Sequence, residues 1–449
     1  MTAHPPSDPA HGVGDKQLRK VVAASFAGAL LEWYDFFVFG TASGLVFGRL
    51  FFPASDPGLA LIAAFATFGV GFFARPLGGI VFGHYGDRVG RKATLIATLL
   101  ITGTSTFLIG CLPTVETVGV WAPVMLVVLR LVQGFGLGGE YGGAALMTIE
   151  SAPLARRGFL GSLPQTAASA GIMLATGVFA FCLWVMGEAA FLDWGWRIPF
   201  LLSAVMLAVG MQIRLTTEET PEFLKARAER AKAAAGRPRP LPIVELMRRH
   251  PREIVLALGA RLAETVSSNI VNAFGIAYVA NQIGLGRELP LTGMLIASAI
   301  GIVACPLIGR LSDRIGQRRI YLFGAAVCVL FIFPFFLLLG TGSLPAIWLA
   351  FAIAYNFGPT MMFAVQPTMF ARMFGTDVRY TGLSFAYQFS AILGGLTPLI
   401  AAVLVRWAGG GPWLVAGYVA AVSLVSFLCV LAIDETHAAR PVRDPLTRS

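Results

Sequence analysis

Twelve long apolar runs constrain the fold of this 449-residue chain more than any other feature of its sequence. A helix needs about 20 mostly apolar residues to cross the hydrocarbon core of a bilayer. Within lipid the backbone must satisfy its own hydrogen bonds, which favours helices over irregular segments. The sequence therefore predicts an all-α integral membrane protein with twelve transmembrane helices. The predicted spans are 21–48, 59–84, 93–112, 120–148, 159–186, 197–215, 253–281, 291–309, 320–340, 345–371, 381–405 and 413–433.

The composition favours the same fold class and argues against a nucleic-acid partner. Hydrophobic residues make up 56% of the chain and charged residues 13%, whereas a soluble protein carries about 25% charged residues. The net charge is +10, but the basic residues lie mainly in short loops between apolar spans. The preference of basic residues for cytoplasmic loops explains this pattern without nucleic acid. The lipid bilayer is therefore the expected partner surface.

The distribution of basic residues also predicts the topology. Lys16, Arg19 and Lys20 precede the first span, and the more basic loops alternate with less basic ones. Both termini are therefore expected in the cytoplasm, in a multi-pass protein of the cell inner membrane. One long hydrophilic break divides the spans into six and six. The expected organisation is an N-terminal tail at 1–20, a six-helix half at 21–215, a cytoplasmic linker at 216–252, a second six-helix half at 253–434 and a tail at 435–449.

Cysteine and histidine usage argues against a metal or redox site. The five cysteines form no Cys-x-x-Cys pair, so neither a disulfide framework nor a zinc site is suggested. The glycine-rich stretches at 134–139 and 394–395 lie inside apolar spans and precede no Gly-Lys-Ser/Thr sequence. They suit close helix packing and not phosphate binding. We expect no cofactor, no metal and no enzymatic activity.

A short charged segment occurs twice in the chain. Residues 83–92 (GHYGDRVGRK) and 309–318 (GRLSDRIGQR) share the pattern Gly-x-x-x-Asp-Arg-x-Gly-x-basic, 309 − 83 = 226 residues apart. Glycine permits a tight turn or close helix contact, and an aspartate can face the positive N-terminus of a neighbouring helix. A basic loop with no special role is the alternative. Internal repeats favour the first interpretation, because they are typical of transporter folds.

Both segments resemble the signature loop of the major facilitator superfamily. The resemblance implies two six-helix halves that expose a central site to each side of the membrane in turn. It also implies a gating role for the charged residues of both segments, with Asp87 facing the N-terminus of the eleventh span. The implied gating residues are Asp87, Arg88, Arg91, Asp313 and Arg314.

Two acidic residues in the first span are the leading candidates for a proton site. Ionisable residues at membrane depth cost about 2.5–3.5 kcal/mol each on insertion scales and are functional by default. Glu32 and Asp35 are at i, i+3 and share one helix face, so they do not both ionise readily. Asp35 ranks first because it lies deeper, about 22 Å along the helix from Lys20. Alternatively, one acid neutralises Arg75 or Arg130 and only holds helices together.

The other buried charges supply further candidates. Glu140 and Glu264 are the alternative proton sites. Arg75 is the first choice for binding a solute carboxylate, with Arg261 second and Arg130 a further candidate, because a guanidinium keeps its proton and matches a carboxylate with two bonds. Arg261 and Glu264 are also at i, i+3, so a salt bridge within the helix is equally open.

Neutral polar residues in the spans complete the candidate site. Each can donate or accept a hydrogen bond towards a solute, although joining helices is their commoner role. These candidates are Tyr34, Gln133, Asn269, Asn272, Gln366, Tyr387 and Gln388.

Several motifs resemble the metabolite:proton symporters within the superfamily. They are residues 32–36 (EWYDF), 75–79 (RPLGG), 138–140 (GGE), 195–200 (GWRIPF) and 219–223 (ETPEF), and the similarity spans roughly residues 20–435. Residues 261–264 (RLAE), 366–370 (QPTMF) and 387–388 (YQ) are similar to shikimate-transporting members, whereas Glu32 and Thr265 depart from them. Known substrates of that family include shikimate, α-ketoglutarate, citrate, proline and betaine.

The resemblance implies a monomeric, proton-coupled importer of a small organic acid, such as shikimate. A dicarboxylate or proline/betaine symporter is an alternative, as is a facilitator or exporter without proton coupling. A membrane-embedded enzyme or receptor is the alternative from another class. No Ser/His/Asp set or cofactor loop in the sequence favours the enzyme.

Overall fold

The computed structural model describes residues 15–52, 56–89, 91–138, 153, 156–216, 242–374 and 379–433. In that part of the chain, eleven helices are long and apolar enough to cross a membrane. They correspond to the second to twelfth predicted spans, and the first predicted span lies in the helix Asp15–Ala42 and its continuation. The prediction of an all-α protein with twelve spanning helices is confirmed.

The spanning helices are numbered in chain order. They are α1 (Asp15–Ala42), α2 (Pro57–Val89), α3 (Arg91–Cys111), α4 (Trp121–Gly138), α5 (Arg157–Asp193), α6 (Ser203–Thr216), α7 (Pro251–Asn269), α8 (Glu288–Ile315), α9 (Gln317–Gly340), α10 (Leu344–Asn356 and Pro359–Ala371), α11 (Arg379–Trp407) and α12 (Trp413–Ala432). Shorter helical segments are Ser43–Phe47, Gly48–Leu50, Val115–Val118, Gly195–Arg197, Ile198–Leu201, Pro242–Arg249, Ile270–Gly275 and Tyr278–Ile283.

Two spans differ from their predicted form. The tenth, predicted as continuous, is broken between Asn356 and Pro359, because proline lacks an N–H group and disfavours helical geometry in the residue before it. The fifth continues beyond its predicted end to Asp193 and bends at Gly187, whose φ of 74° suits glycine. Residues 217–241 of the predicted linker lie outside the described residues.

The outer surface of the bundle is apolar, as lipid contact requires. Phe73, Ile80 and Leu330 are each more than half exposed. Exposed tryptophans gather at one end, where aromatic rings mark the interface of a membrane with water. They are Trp121, Trp184, Trp194, Trp407 and Trp413. We call this the tryptophan end; the signature end is the other, at which α2 and α8 finish.

Among the described residues, the first six helices contact the last six mainly at four places: α5 with α8, α5 with the second segment of α10, α2 with α11, and α1 with the continuation of α7. Small residues allow these close contacts. A Cβ atom on Gly301 would lie 2.6 Å from Oγ of Ser169, and one on Gly309 would lie 2.2 Å from Oγ of Ser162. The same two helices therefore approach closely over several turns. The candidate residues near the centre of the bundle lie between these contacts.

Candidate functional site

Arg75 of α2 connects three helices from both halves of the bundle. Its Nη2 lies 3.2 Å from Oε1 of Glu32 on α1, and both side chains are 12% exposed. Its Nε donates to Oε1 of Gln388 on α11 at 3.2 Å. Gln388 in turn donates from Nε2 to the carbonyl oxygen of Gly138 at 3.1 Å. The first-choice arginine of the sequence thus meets a carboxylate of its own half and an amide of the other half.

Glycines bring the backbone of α2 against that of α4 at this level. A Cβ atom on Gly134 would lie 2.0 Å from the carbonyl oxygen of Gly71, and one on Gly138 would lie 2.0 Å from that of Arg75. On α11, a Cβ atom on Gly395 would lie 2.0 Å from the ring of Phe72. The predicted role of these glycine stretches in helix packing is confirmed. These close contacts set the position of Arg75 relative to α4 and α11.

Arg130 of α4 is bound within the first half. It is 2% exposed and donates from Nε and Nη2 to the carbonyl oxygen of Phe68 at 3.3 Å. Its Nη1 donates to Oε1 of Gln133 at 2.6 Å, and Gln133 donates to Oγ1 of Thr106 at 2.7 Å. The guanidinium carbon also lies 4.2 Å from the centre of the Phe39 ring. Arg130 and Gln133 therefore form one buried unit that joins α2, α3 and α4.

A narrow crevice lies between Arg75 and Arg130. Its lining residues are Phe36, Gly71, Phe72, Arg75, Arg130, Gly134 and Leu137, and its empty volume is about 160 Å³. That volume includes space open to solvent, and the crevice has no room for a water molecule, whereas ligand pockets usually measure about 300–1,000 Å³. A solute can therefore use this crevice only after the surrounding helices move apart.

The first-span residues point to different neighbours. Asp35 is 5% exposed and buried among the helices, one turn beyond Glu32. Tyr34 is fully buried and donates its hydroxyl group to the carbonyl oxygen of Pro199 at 2.6 Å. Glu32 is the acid that contacts Arg75. The two carboxylates predicted on one face therefore lie at different depths along α1, next to Phe36, which lines the crevice.

A second polar cluster surrounds Arg261 in the second half. Nη1 of Arg261 donates to Oγ of Ser390 at 2.6 Å and to the carbonyl oxygen of Tyr387 at 3.0 Å. Its Nε donates to Oε1 of Gln366 at 3.3 Å, and the guanidinium carbon lies 3.6 Å from the centre of the Tyr387 ring. Oε2 of Glu264 lies 3.8 Å from Nη2 of Arg261, with both side chains buried. The structure thus brings together four predicted residues from α7, α10 and α11.

Two members of this cluster were missed by the sequence reasoning. Ser390 follows Tyr387 by three positions, so helical spacing could have indicated it. Tyr321 on α9 accepts a hydrogen bond from Nε2 of Gln366 at 3.0 Å and donates to the carbonyl oxygen of Ala260 at 2.9 Å. No local pattern in the sequence indicates that contact.

The two predicted asparagines bond within their own helical segment. Asn269 donates from Nδ2 to the carbonyl oxygen of Thr265 at 2.8 Å, and Asn272 donates to Oγ of Ser268 at 3.0 Å. Both side chains are buried. Their amide groups are therefore engaged along α7 and its continuation, and not with either arginine cluster.

At the signature end, Asp313 of α8 caps the N-terminus of α5. The N–H group of Gly158 donates to Oδ1 of Asp313 at 2.7 Å, and that of Phe159 donates to Oδ2 at 2.9 Å. A carboxylate is stabilised there by unpaired N–H groups and by the positive end of the helix dipole. Arg314 is exposed beside it. The side chains of Asp87, Arg88 and Arg91, and all of Glu140, lie outside the described residues.

At the tryptophan end, ion pairs join the two halves. Arg287, just before α8, binds Glu188 of α5 and donates from Nε to the carbonyl oxygen of Leu45 at 3.2 Å. Arg406 of α11 binds Asp56, which precedes α2. This hydrogen bond, with a further one from the Gly58 N–H group, lowers the pKa of the Asp56 carboxyl below its usual range. The halves are thus in contact at both ends.

Comparison with known proteins decides the family. The model of the sugar (and other) transporter family matches residues 20–438. The chain belongs to this family of the major facilitator superfamily. It is accordingly a multi-pass membrane transporter of small molecules and not an enzyme.

Curated relatives of this transporter span nearly its whole length. It is 41% identical to the shikimate transporter of Escherichia coli (strain K12), over 94% of this chain and 95% of that protein. It is 38% identical to the inner membrane metabolite transport protein YhjE of the same organism, over 93% and 94%. It is 34% identical to the proline/betaine transporter of that organism, over 96% and 86%.

Solved structures show the same fold. The crystal structure of a D-xylose–proton symporter matches with a TM-score of 0.68 at 18% identity, over 94% of this chain and 99% of that one. The proton:xylose symporter XylE bound to 6-bromo-6-deoxy-D-glucose matches with a TM-score of 0.71 at 17% identity, over 93% and 95%. At these identities the likeness extends to the fold alone.

Proposed function

We propose that this transporter is a proton-coupled symporter that imports a small organic acid, with shikimate as the leading substrate. The observation that carries the proposal is the Arg75 guanidinium, held between Glu32 of the first half and Gln388 of the second. An arginine at this depth binds a carboxylate with two directed bonds. The carboxylate beside it is a site for the coupled proton.

The proposed roles follow from the two polar clusters. Arg75 binds the solute carboxylate, and the first-span acids carry the proton, with Glu264 and Glu140 as alternative carriers. The cluster around Arg261 supplies the polar face of the second half. The amide of Gln366 and the phenol of Tyr387 are neutral and can form hydrogen bonds with the hydroxyl groups of a solute such as shikimate. The 41% identity to a shikimate transporter supports this choice of substrate.

Proline and betaine are the second candidate substrates. A proline/betaine transporter is 34% identical to this chain, and both solutes carry a carboxylate that Arg75 can bind. Their cationic nitrogen would need an acidic or aromatic partner, which Glu264 beside Tyr387 could supply. A dicarboxylate such as α-ketoglutarate would instead engage Arg75 and Arg261 together.

The membrane placement is also part of the proposal. The basic signature segments would face the cytoplasm, since Arg310, Arg318 and Arg319 all lie at the signature end. Both termini would then be cytoplasmic, and the six-helix halves at 21–215 and 253–434 would rock against each other as a monomer in the inner membrane. Labelling of a cysteine introduced within 435–449 from one side of sealed membrane vesicles tests this orientation.

Uptake by proteoliposomes under an imposed pH gradient tests the function. Labelled shikimate, α-ketoglutarate, citrate, proline and betaine are supplied separately to liposomes whose interior is alkaline. We expect accumulation of an organic acid above its external concentration, abolished by a protonophore and absent from liposomes without protein. Equilibration without accumulation would show a facilitator and overturn the proton coupling. Accumulation of betaine or proline alone would overturn the choice of substrate.

A further inference from the structure

Two side chains occupy one edge of the Arg75 guanidinium. A guanidinium presents Nε–H and Nη2–H along the same side, and this edge matches the two oxygens of a single carboxylate. Here Oε1 of Gln388 accepts a hydrogen bond from Nε at 3.2 Å, and Oε1 of Glu32 accepts one from Nη2 at 3.2 Å. Two separate oxygens, one from each half of the bundle, therefore stand where a bidentate solute carboxylate would stand.

We propose, on the basis of the symport function above, that the solute carboxylate displaces both Glu32 and Gln388 from this edge of Arg75. Glu32, once released, takes up the proton that is transported with the solute. Release of Gln388 removes the hydrogen bond between α11 and Arg75 of α2. Solute and proton are then coupled by competition for one guanidinium, and the same exchange loosens the contact between the halves.

A count of charges supports this assignment of the proton. In the closed state Arg75 is matched by the Glu32 carboxylate. Arrival of a solute anion without a proton would leave one excess negative charge in a buried crevice, which is costly at membrane depth. Uptake of about one proton by Glu32 from the adjoining water converts its carboxylate to the neutral acid and restores the balance.

The other charged groups near Glu32 favour the same outcome. Asp35 on the same helix is one turn away, and its negative charge disfavours ionisation of Glu32 once Glu32 has left Arg75. Arg130 of α4 lines the same crevice, but its hydrogen bonds go to Phe68 and Gln133. Gln388 of α11 is neutral. α5 and α6 also pack on α1 and carry charge only near their ends. Their stretches 158–187 and 198–213 contain no charged residue.

Solute binding to the purified transporter tests the competition. The probe is the labelled acid that wild-type liposomes accumulate, with shikimate tried first. Binding is measured between pH 5.5 and 8.5 in detergent. We expect wild-type affinity to fall by up to about tenfold per pH unit at the alkaline end, because binding is linked to proton uptake. Glu32→Gln should bind with an affinity that is nearly independent of pH. Asp35→Asn distinguishes the two first-span acids: if Glu32 carries the proton, this variant should keep the pH dependence.

Proton uptake by the wild-type protein is a second measurement that does not depend on a variant folding. Addition of the solute to weakly buffered transporter at pH 8 should remove about one proton from solution per solute bound. Binding without proton uptake would overturn the inference, as would a pH dependence in Glu32→Gln equal to that of the wild type. Loss of the pH dependence in Asp35→Asn but not in Glu32→Gln would overturn it too, and would assign the proton to Asp35.

Gln388→Leu tests whether the solute displaces Gln388 from Arg75. This variant removes one competitor for Arg75 and keeps Glu32. We expect its affinity to rise several-fold while the slope of affinity against pH stays that of the wild type. A weakened affinity would show that Gln388 binds the solute and does not compete with it. If no acid is accumulated by wild-type liposomes, the symport function itself fails; if accumulation persists in Glu32→Gln, only the present inference fails.

Discussion

The carboxylate of Asp313 accepts the backbone N–H groups of Gly158 and Phe159 at 2.7 and 2.9 Å, and so joins the two halves at the signature end. The acid belongs to α8 and the N–H groups begin α5. Such a cap combines charge-assisted hydrogen bonds with the helix dipole. It joins α8 to α5 at this end, away from Arg75 and Arg261.

Asp313→Asn should therefore slow transport and leave solute preference unchanged. The amide keeps one acceptor but loses the charge, and a charged hydrogen bond contributes about 1.5–3 kcal/mol. Initial rates of solute exchange in proteoliposomes measure the effect, and competition by the uptake panel measures preference. Arg310→Gln is the matched control, because Arg310 is exposed on the same helix and is not one of the implied gating residues. A normal transport rate in Asp313→Asn would contradict the gating role of Asp313.

We expect the same decrease in transport rate from Asp87→Asn at the equivalent position of the first repeat.

Arg75→Lys should weaken binding of an acidic solute by roughly tenfold to a hundredfold. Lysine keeps the charge but cannot offer two parallel N–H groups to one carboxylate, and loss of a charged hydrogen bond costs about 1.5–3 kcal/mol. Equilibrium binding to detergent-solubilised protein is the measurement. Arg261→Lys is the comparison, since Arg261 is already bonded to Ser390, Tyr387 and Gln366. Unaltered binding in both Arg75→Lys and Arg75→Ala would make Arg75 structural.

The pH dependence of transport should not depend on Asp56. Because its pKa is lowered, chiefly by the bond from Arg406, the contact between them is present at pH values above the ordinary aspartate pKa. It weakens only as the pH falls through the lowered value. Between pH 5 and 8 Asp56 stays ionised. Asp56→Asn should alter the exchange rate by less than about threefold, as exposed ion pairs are weak, and leave the shape of the pH–rate profile unchanged. A pH–rate profile of Asp56→Asn displaced by one pH unit from that of the wild type would contradict this prediction.

Gly134→Ala should destabilise the protein, whereas Gly417→Ala should not. A Cβ atom on Gly134 would lie 2.0 Å from the Gly71 carbonyl oxygen, but one on Gly417 would have no atom within 4 Å. Overpacking typically costs about 1–3 kcal/mol, while alanine in an open helix position gains about 0.8–1.0 kcal/mol over glycine. Melting temperatures in detergent should therefore move in opposite directions. Equal melting temperatures would show that α2 and α4 can separate without loss of stability.

The central contacts show the limit of sequence reasoning. Helical spacing placed Glu32 and Asp35 on one face, and depth along the helix ranked Asp35 first. The structure instead places Glu32 against Arg75, 43 residues away, and adds Gln388, 313 residues away from Arg75. Spacing within one helix is local, whereas such contacts depend on how three helices are rotated about their axes. The contact that supports Glu32 as the proposed proton carrier therefore becomes visible only when α1, α2 and α11 are seen together, and the prediction that ranks Asp35 first stays a prediction.

The ties between the halves show the same limit. Arg287 and Arg406 belonged to loops with few basic residues, and nothing in the sequence pointed to Glu188 or Asp56 as partners. In contrast, both signature segments were visible as a repeat, and one of their aspartates caps a helix of the other half.

The sequence by itself determined the class of fold, the number of spans and the glycines that pack them. A bilayer forces each apolar run of about 20 residues to satisfy its backbone within a helix, so length and composition suffice. Only the tertiary structure decided the break in α10, the acid that contacts Arg75 and the contacts that join the halves at the two ends. Those features depend on helix rotation and on packing between residues hundreds of positions apart, which no local pattern encodes.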